Sequence, residues 1–366
     1  MHFIEKVLKK KIIFKKVKQV DLVILDSKFI NFKFRNIKTH TYDQDDYYFL
    51  EFLWSLMEYI KCFFKINFGI IYYRILIKKL NPKVGICHEM SNKIFLFKKF
   101  FPKKIAVCYQ YGYIFKKDIN DYYKKHFKDK KLDLYFVYDK RSMNIMKKFI
   151  KSKYFINGST KVNENFPRNL KRKKNSILFI SRFRSQKYKL YNNYDKFLVQ
   201  ILEKHCFENN LNLIIAFNSM RRDKKHYNSY FFKEKNFYDS CINRYKIGNG
   251  DAFSLSNKSK LVVSNNSNLG YELLFAKTKV VFFNSDKIVH NFFNKRIGPF
   301  WYYGSDKTII KKIIDKVYKT SKNQWLTEVV KADKNFKTFY KKEEEIYKNN
   351  IFLKNKIQEL VTSERF

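Results

Sequence analysis

The sequence predicts an α/β protein made of two consecutive β-α-β domains. Short apolar segments alternate with longer helical patterns along most of the 366 residues. This alternation stops at a polar, basic stretch, residues 163–175, and then begins again. Alternating strands and helices form parallel sheets covered by helices. A chain of this length also suits two domains, at about 100–200 residues each.

The first half of the chain holds five strand-sized apolar segments. They are Val20–Leu25, Val84–Cys87, Lys104–Tyr109, Leu134–Val137 and Tyr154–Ile156. Helix-sized segments lie between them, at Asp46–Leu80, Met90–Phe100, Asn120–Phe127 and Lys140–Ile150. We expect these elements to form a first Rossmann-like domain over residues 1–165.

The second half of the chain repeats this alternation of strand-sized and helix-sized segments. Its strand-sized segments are Ile177–Ser181, Leu211–Phe217, Leu261–Ser264 and Lys279–Phe283, and its helical segments include Tyr194–Glu208, Leu269–Ala276 and Thr308–Thr320. We expect a second Rossmann-like domain over residues 166–332, followed by a charged helical tail over 333–366. Two such domains are expected to face each other across a cleft, and ligands bind at the carboxyl ends of parallel strands.

The formal net charge is +44, from 77 basic and 33 acidic residues. Such a charge favours anionic partners, which include nucleic acid, anionic lipid and phosphorylated substrates. However, most of the lysines are scattered, and the chain is rich in residues with AT-rich codons. Genome composition is therefore an alternative source of the charge.

The five cysteines indicate a reducing compartment. Their number is odd and no C-x-x-C pair occurs, which excludes a disulfide framework and a cysteine zinc site. Residues 1–18 contain no uninterrupted apolar run of the kind found in a signal peptide. The sequence therefore predicts a cytoplasmic protein, with the inner face of the plasma membrane as a candidate surface.

The longest apolar stretch runs from Phe49 to Ile77. Five charged residues interrupt it, which excludes a membrane-spanning helix of about 20 apolar residues. Two interpretations remain open. The stretch forms either a pair of core helices or an amphipathic helix on a membrane surface, which its aromatic and basic content would suit.

The most informative segment is Lys260–Asn284. A buried strand is predicted to end at Ser264, and a polar turn then opens a helix that holds Gly270 and Glu272. The free N–H groups and the dipole of a helix N-terminus suit a phosphate, and Ser267 is the best N-cap. Gly270 leaves room for a ligand or a neighbouring strand, and Glu272 could accept hydrogen bonds from a ribose diol. The alternative is an ordinary capped helix whose glutamate complements the dipole.

Charged residues after other predicted strands complete the candidate site. Arg182 and Arg184 follow the strand Ile177–Ser181, where a guanidinium could clamp phosphates. Asp26 follows the first strand, and His88 and Glu89 follow the second. Among these we expect Glu89 or Asp26 to act as a general base. No D-x-D motif follows a predicted strand, so no metal ion is implied.

The segment S-K-L-V-V-S-N-N-S-N-L-G-Y-E, residues 259–272, resembles the Ser-Thr-Leu-Gly-x-Glu turn of GT-B fold transferases that make surface carbohydrates. These are O-antigen and capsule biosynthesis proteins, with relatives among the teichoic-acid glycerophosphotransferases. The resemblance implies that Ser267, Asn268 and Gly270 hold the donor diphosphate and that Glu272 binds its ribose. Asn268 stands where the family usually has threonine.

Weaker similarities follow in the same order along the chain. Residues 107–112 (V-C-Y-Q-Y-G) resemble the family's Gln-His-Gly turn, with Tyr111 in place of the histidine. Residues 298–302 (G-P-F-W-Y) resemble a loop after the last donor strand. The resemblance implies a metal-independent glycosyltransferase that moves a sugar from a nucleotide-sugar donor to a growing surface polysaccharide or a lipid-linked acceptor. It implies no cofactor, and the nucleotide sugar is the donor substrate.

Other functions stay open at this point. A glycerophosphotransferase or a nucleotide-sugar epimerase would use the same turn, and paired carboxylates with a histidine would favour the epimerase. A basic nucleic-acid-binding protein would suit the charge, but no RNA- or DNA-binding motif is present, so no nucleic-acid partner is expected. A non-catalytic homologue is the last alternative.

Overall fold

A computed structural model describes residues 11–26, 34, 36–42, 46–115, 119–164, 175–183, 189–218, 224–265, 267–287, 291–341 and 350–363. The chain divides into two compact units. The first comprises residues 1–111, 123–160 and 345–366, and the second comprises residues 112–122 and 161–344. The second unit therefore includes a short segment, residues 112–122, although the chain on either side of this segment belongs to the first unit.

The first unit is built on a six-stranded parallel sheet with the order β3-β2-β5-β6-β7-β8, and a separate parallel pair joins β1 and β4. The strands are β1 (Lys11–Ile13), β2 (Leu22–Ile24), β3 (Thr39–Thr41), β4 (Asp46–Tyr48), β5 (Val84–His88), β6 (Ile105–Tyr109), β7 (Lys130–Val137) and β8 (Ile150–Ile156). Strands β2, β5 and β6 are buried on both faces. This explains why they read as continuous apolar runs in the sequence.

Among the described residues of this unit, five helices lie between these strands. They are α1 (Phe49–Lys61), α2 (Phe68–Leu80), α3 (Asn92–Phe100), α4 (Lys124–Phe127) and α5 (Lys140–Met146), and a π-helical turn, Ile119–Tyr123, leads into α4. The predicted segment Asp46–Leu80 thus contains a strand and two helices. The helix α2 is a core helix, since most of its apolar side chains are buried.

The second unit contains a seven-stranded sheet with the order β11-β10-β9-β12-β13-β15-β14. Its strands are β9 (Ser176–Ile180), β10 (Asn212–Ala216), β11 (Lys246–Ile247), β12 (Leu261–Ser264), β13 (Val280–Asn284), β14 (Ile297–Gly298) and β15 (Trp301–Tyr303). All pairs are parallel except β14 with β15. Residues 298–302 were expected to form a loop, but Trp301–Tyr303 is a buried strand beside β13.

Helices α6 to α13 belong mainly to the second unit. They are α6 (Thr160–Glu164), α7 (Lys189–Glu208), α8 (Lys224–Asp239), α9 (Ala252–Lys258), α10 (Asn268–Phe275), α11 (Lys307–Lys319), α12 (Lys322–Ala332) and α13 (Asn335–Lys341). The last helix, α14 (Ile351–Thr362), returns to the first unit. There Leu353, Ile357 and Val361 join the core formed by the strands.

The helix α1 has an unusual distribution of side chains. Its buried positions include Glu51 and Ser55, whereas Leu50, Trp54 and Ile60 are exposed. Within the described part of the chain, no helix combines the length and the apolar character needed to cross a bilayer. The interpretation as a core helix therefore holds for α2, whereas α1 presents apolar side chains to solvent, and its placement on a membrane surface stays a prediction.

The helix α10 packs directly on the two strands that flank it in the sequence. A Cβ atom added to Gly270 would lie 2.4 Å from Ser264 Oγ on β12 and 3.0 Å from a ring carbon of Phe282 on β13. Such distances are far below van der Waals contact. Gly270 is therefore required for the close approach of a strand, which was one of the two roles expected for it.

We expect Gly270→Ala to lower the free energy of unfolding of the protein by about 1–3 kcal/mol, because the added methyl group overfills a packed contact. Urea unfolding measures this change. Gly69→Ala, in the first turn of α2, is a matched control because the added atom meets only the Asn67 side chain, at 3.1 Å. Equal stability of the two variants would contradict the packing argument.

Candidate functional site

The predicted phosphate-binding turn lies between β12 and α10, as expected. Ser267 is the N-cap residue of α10, but its side chain makes no capping hydrogen bond. Instead, the Ser264 hydroxyl accepts a hydrogen bond from the backbone N–H of Ser267, at 3.1 Å. The turn is thus held from the strand side, and the helix begins without a side-chain cap on its first N–H groups.

Asn268 is the first residue of α10, and its amide group contacts the segment that follows β6. A Cβ atom on Gly112 would lie 2.8 Å from Asn268 Nδ2. Gly112 ends the V-C-Y-Q-Y-G turn and belongs to the same unit as α10. Two of the segments that carry the family resemblance therefore meet at Asn268.

Glu272 is buried one turn into α10, and a lysine contacts it. The Nζ atom of Lys161 lies 3.4 Å from Glu272 Oε1, and both side chains are largely removed from solvent. Lys161 lies on α6, just after the turn at Gly158, whose φ angle of 67° suits glycine. Sequence reasoning missed Lys161, because nothing in the sequence pairs it with a residue 111 positions away.

Arg182 follows β9 and lies beside the turn at the end of β12. Its Nη1 atom donates to the backbone carbonyl of Asn265, at 3.2 Å. Its backbone N–H donates to Asp195 Oδ2, at 2.9 Å. The structure thus brings Arg182 together with the segment 265–272, while Arg184 lies outside the described residues.

A buried hydrogen-bond network supports Arg182. Asp195 on α7 also accepts from Asn265 Nδ2, at 2.7 Å, and from the hydroxyl of Tyr238, at 3.1 Å. The Tyr238 oxygen also lies within hydrogen-bond distance of Ser181 Oγ, at 2.8 Å. Burial raises the pKa of the Asp195 carboxyl to about 6, although these donors and Arg182 oppose the shift.

The predicted base residues occupy the first unit, where Asp26 follows β2 and His88 ends β5. Asp26 Oδ2 lies 3.7 Å from His88 Nε2 and 3.8 Å from Lys93 Nζ. The Lys93 ammonium donates to the backbone carbonyl of Leu25, at 3.1 Å. A carboxylate, an imidazole and a cation therefore meet at the carboxyl ends of two neighbouring strands.

Glu89 lies next to His88 in the chain, but its carboxylate faces a different partner. Both oxygens accept from the backbone N–H of Tyr111, at 2.7 and 3.0 Å, and the residue is buried. The Tyr138 hydroxyl donates to the carbonyl of Tyr111, at 3.1 Å. Glu89 thus fixes the turn after β6 in place.

Among the described residues, no group of three or more His, Cys, Asp or Glu side chains could hold a metal ion. The expectation of a metal-independent reaction stays a prediction.

A scan against protein-family models matches residues 91–357 to the family described as "putative O-antigen biosynthesis protein". The match covers most of the chain, including both candidate turns. The chain belongs to this O-antigen biosynthesis family. A search of curated protein sequences gives no significant match.

Solved structures resemble the whole chain at low sequence identity. The wall teichoic acid polymerase TagF, in a structure soaked with CDPG, matches with a TM-score of 0.52 and 10% identity, over 94% of this chain and 89% of that one. A UDP-N-acetylglucosamine 2-epimerase homologue from Listeria monocytogenes matches with a TM-score of 0.50 and 12% identity, over 79% and 78%. These similarities concern the fold.

The family match and the fold together confirm the fold class and the family that the sequence predicted. The chain has two units built on Rossmann-like parallel sheets, as predicted, resembles TagF in fold, and belongs to the O-antigen biosynthesis family. The domain limits and the roles of individual site residues stay predictions.

We expect the pKa of Asp195 to appear in the pH dependence of stability. The raised value means that the folded protein binds this proton more tightly than the unfolded chain, whose carboxyl has an ordinary pKa of 3.8. The stabilisation is complete below the unfolded pKa and is lost as the pH rises through about 6. A pKa shift of this size corresponds to about 3 kcal/mol in the free energy of unfolding.

Urea unfolding of the wild type and of Asp195→Asn between pH 4 and pH 7 tests this expectation. The free energy of unfolding of the variant, relative to that of the wild type, should rise across this range, because only the wild type loses the proton. Parallel pH profiles for the two proteins would contradict the raised pKa.

Proposed function

We propose that this protein is a glycosyltransferase that moves a sugar from a nucleotide-sugar donor to a surface polysaccharide or a lipid-linked acceptor. The observation that carries the proposal is the arrangement at the start of α10. An uncapped helix N-terminus, the Arg182 guanidinium and the Lys161–Glu272 pair occur together in a chain of the O-antigen biosynthesis family.

The donor diphosphate would lie against the first turn of α10. The N–H groups of this turn point along the helix axis, and the helix dipole favours negative charge there. Arg182 is held beside the turn by its bond to Asn265 and adds a fixed positive charge. These groups would stabilise the leaving diphosphate without a metal ion.

Glu272 would bind the ribose hydroxyl groups of the donor. It lies one turn beyond the proposed phosphate position, and Lys161 Nζ contacts one of its carboxylate oxygens. A buried carboxylate needs such a cation or hydrogen-bond donors to remain charged. Lys161 would therefore offset the cost of burying this carboxylate and orient it, so that it can accept hydrogen bonds from hydroxyl groups.

A thermal-shift screen with UDP, GDP, CDP and ADP tests the donor site. One nucleotide should raise the melting temperature of the wild type by about 2–5 °C at tenfold excess over its dissociation constant. Glu272→Ala and Glu272→Gln should lose most of this shift, because the acceptor for the ribose is gone or weakened.

Glu328→Ala is the matched control for this screen. Glu328 also contacts a lysine on a helix of the second unit, since its carboxylate lies 3.0 Å from Lys331 Nζ, but it lies outside the candidate site. This variant should keep the nucleotide-induced shift. No response of the wild type to any nucleotide would refute the donor-site assignment.

Asp26 and His88 are the proposed acid–base pair on the acceptor side. Their side chains approach to 3.7 Å, and the Asp26 side chain is 17% exposed, so an acceptor hydroxyl could reach it. Glu89, the other predicted base, uses both carboxylate oxygens on the Tyr111 N–H. The geometry therefore favours Asp26 as the base, with Glu89 positioning the turn.

Asp26→Asn and His88→Gln should each lower kcat by about 10²–10⁴-fold, the usual contribution of general acid–base catalysis, and leave the donor KM nearly unchanged. The measurement is release of the nucleoside diphosphate in the presence of extracted lipid-linked glycans, with the donor whose nucleotide passes the thermal-shift screen. Glu89→Gln is the comparison variant and should mainly lower the melting temperature. Full turnover by Asp26→Asn would exclude Asp26 as the base.

A nucleotide-sugar epimerase is the second candidate function, and one observation favours it. The Asp26 carboxylate lies 3.7 Å from the imidazole of His88, and a carboxylate paired with a histidine would suit epimerisation. Incubation of the donor without any acceptor separates the two functions. A second stereoisomer of the donor sugar, detected by NMR, would indicate the epimerase, and an unchanged sugar would favour the transferase.

The proposal includes the partners and the location of the reaction. The donor is a nucleotide sugar, the acceptor is a glycan or a lipid-linked glycan, and neither a resident cofactor nor nucleic acid takes part. The positive charge of the chain suits both the donor phosphates and an anionic membrane. We place the protein in the cytoplasm, at the inner face of the plasma membrane.

A further inference from the structure

The first unit carries an exposed apolar surface on α1 and on the turn that follows it. We define this α1 surface by its exposed apolar residues, which are Leu50, Leu53, Trp54, Met57, Ile60, Phe63, Phe64 and Ile66. The helical members recur at spacings of three and four residues, so they form one stripe along the helix. A continuous patch of large apolar side chains of this kind marks an interaction site.

The opposite face of α1 makes the packing of this helix unusual. Glu51 and Ser55 point inward and are buried, while Phe52 and Tyr59 pack their rings on Phe68 of α2, with centroids 5.5 and 5.7 Å apart. The helix thus keeps a charged group inside and leaves five apolar side chains outside. Core packing does not require that arrangement, so the stripe needs another explanation.

The turn after α1 adds exposed aromatic rings at a strained position. Phe63 and Phe64 have φ angles of 50° and 61°, in the left-handed region that non-glycine residues rarely adopt. Phe63 is 80% exposed. Phe64 packs edge-on against Tyr59, with centroids 4.9 Å apart, while Phe63 extends into solvent. Such backbone strain is common at binding sites.

The charges around the stripe indicate what covers it. Residues 11–20 and 59–80 together contain nine lysines and arginines and no aspartate or glutamate. The Nζ atom of Lys79 lies 4.6 Å from the ring of Trp54, so a cation and an exposed indole share one side of the helix. On α1 itself, the acid Glu58 contacts Lys61, at 3.2 Å.

We infer that the α1 surface docks the protein on an anionic lipid bilayer. Apolar side chains on one face with lysines beside them are typical of helices that lie in the membrane interface. Tryptophan favours that depth, and each nearby lysine or arginine adds about 1 kcal/mol of attraction to anionic lipid. A second protein would instead be expected to offer acids for these cations.

This inference identifies the surface that would hold the protein at the membrane, which is the location given in the proposed function. It does not depend on sugar transfer, because the test below measures membrane binding alone. A failure here would leave the donor-site experiment unaffected.

Intrinsic fluorescence gives a direct test, since the chain has three tryptophans. Trp54 is 50% exposed, whereas Trp301 is 5% and Trp325 is 1% exposed. Vesicles of phosphatidylcholine and phosphatidylglycerol, at about 7:3, should shift the emission of the full-length protein to the blue and protect it from acrylamide. Trp54→Phe should abolish the shift and still bind the vesicles in a flotation assay.

A triple variant tests the apolar contribution. Leu50→Gln, Met57→Gln and Ile60→Gln change side chains that are about half exposed, so folding should be unaffected. The partition coefficient on the anionic vesicles should fall about tenfold or more. The matched control replaces three exposed apolar residues elsewhere, Phe232, Ile297 and Ile351, by glutamine and should bind like the wild type.

Three results would overturn the inference. The first is no binding of the wild type to the anionic vesicles. The second is equal binding by the triple variant, which would leave only charge attraction. The third is a wild-type dimer that becomes a monomer in the triple variant without lipid, since the α1 surface would then join two copies of the chain.

Discussion

Buried carboxylates hold the loops that follow the parallel strands, and the candidate sites are built on those loops. Glu89 accepts from the N–H of Tyr111, just after β6. Asp195 accepts from the N–H of Arg182, just after β9. Glu234 does the same for Asn218, after β10, at 2.9 Å. A loop N–H bound to a buried carboxylate makes a strong, charge-assisted hydrogen bond, which fixes the loop more firmly than a neutral one would.

This constraint divides the acidic residues into two kinds. The three that bind these loop N–H groups are buried, and Glu89 directs both of its carboxylate oxygens at the Tyr111 N–H. Asp26 and Glu272 contact lysine side chains, Lys93 and Lys161. A lysine can move when a ligand arrives, whereas a backbone N–H in a fixed turn cannot. These contacts support the proposed roles of Glu89 as a positioning residue and of Asp26 and Glu272 as residues that face a ligand.

Much of the fold could be predicted from the sequence, because parallel strands buried on both faces are short apolar runs. Strand β12 was predicted at Leu261–Ser264, where the structure has it. Two strands were missed. The strand β15, which pairs with β13 and β14, has the sequence of an aromatic loop, and the edge strand β3 (Thr39–Thr41) has no apolar pattern. The pairing of these strands depends on residues far along the chain, and a local sequence pattern carries no information about them.

The candidate site was predictable only in part, for a related reason. The turn before α10 has a local signature, since a strand, a polar turn and a glycine follow one another. Lys161 and Asp195 have no such signature, because each is a charged residue in a helical segment that resembles a solvated surface. Only the fold reveals that Lys161 reaches Glu272 and that Asp195 lies beneath Arg182.

The same limit applies to α1, where periodicity alone does not determine which face is inside. Apolar residues at helical spacing usually mark the buried face. Here the aromatic residues Phe52 and Tyr59 already join α1 to α2, so the remaining apolar stripe is left outside. An amphipathic pattern therefore shows on which side of a helix the apolar residues lie, but it does not show what covers them. The partner follows from the surrounding charge, and around α1 that charge is basic.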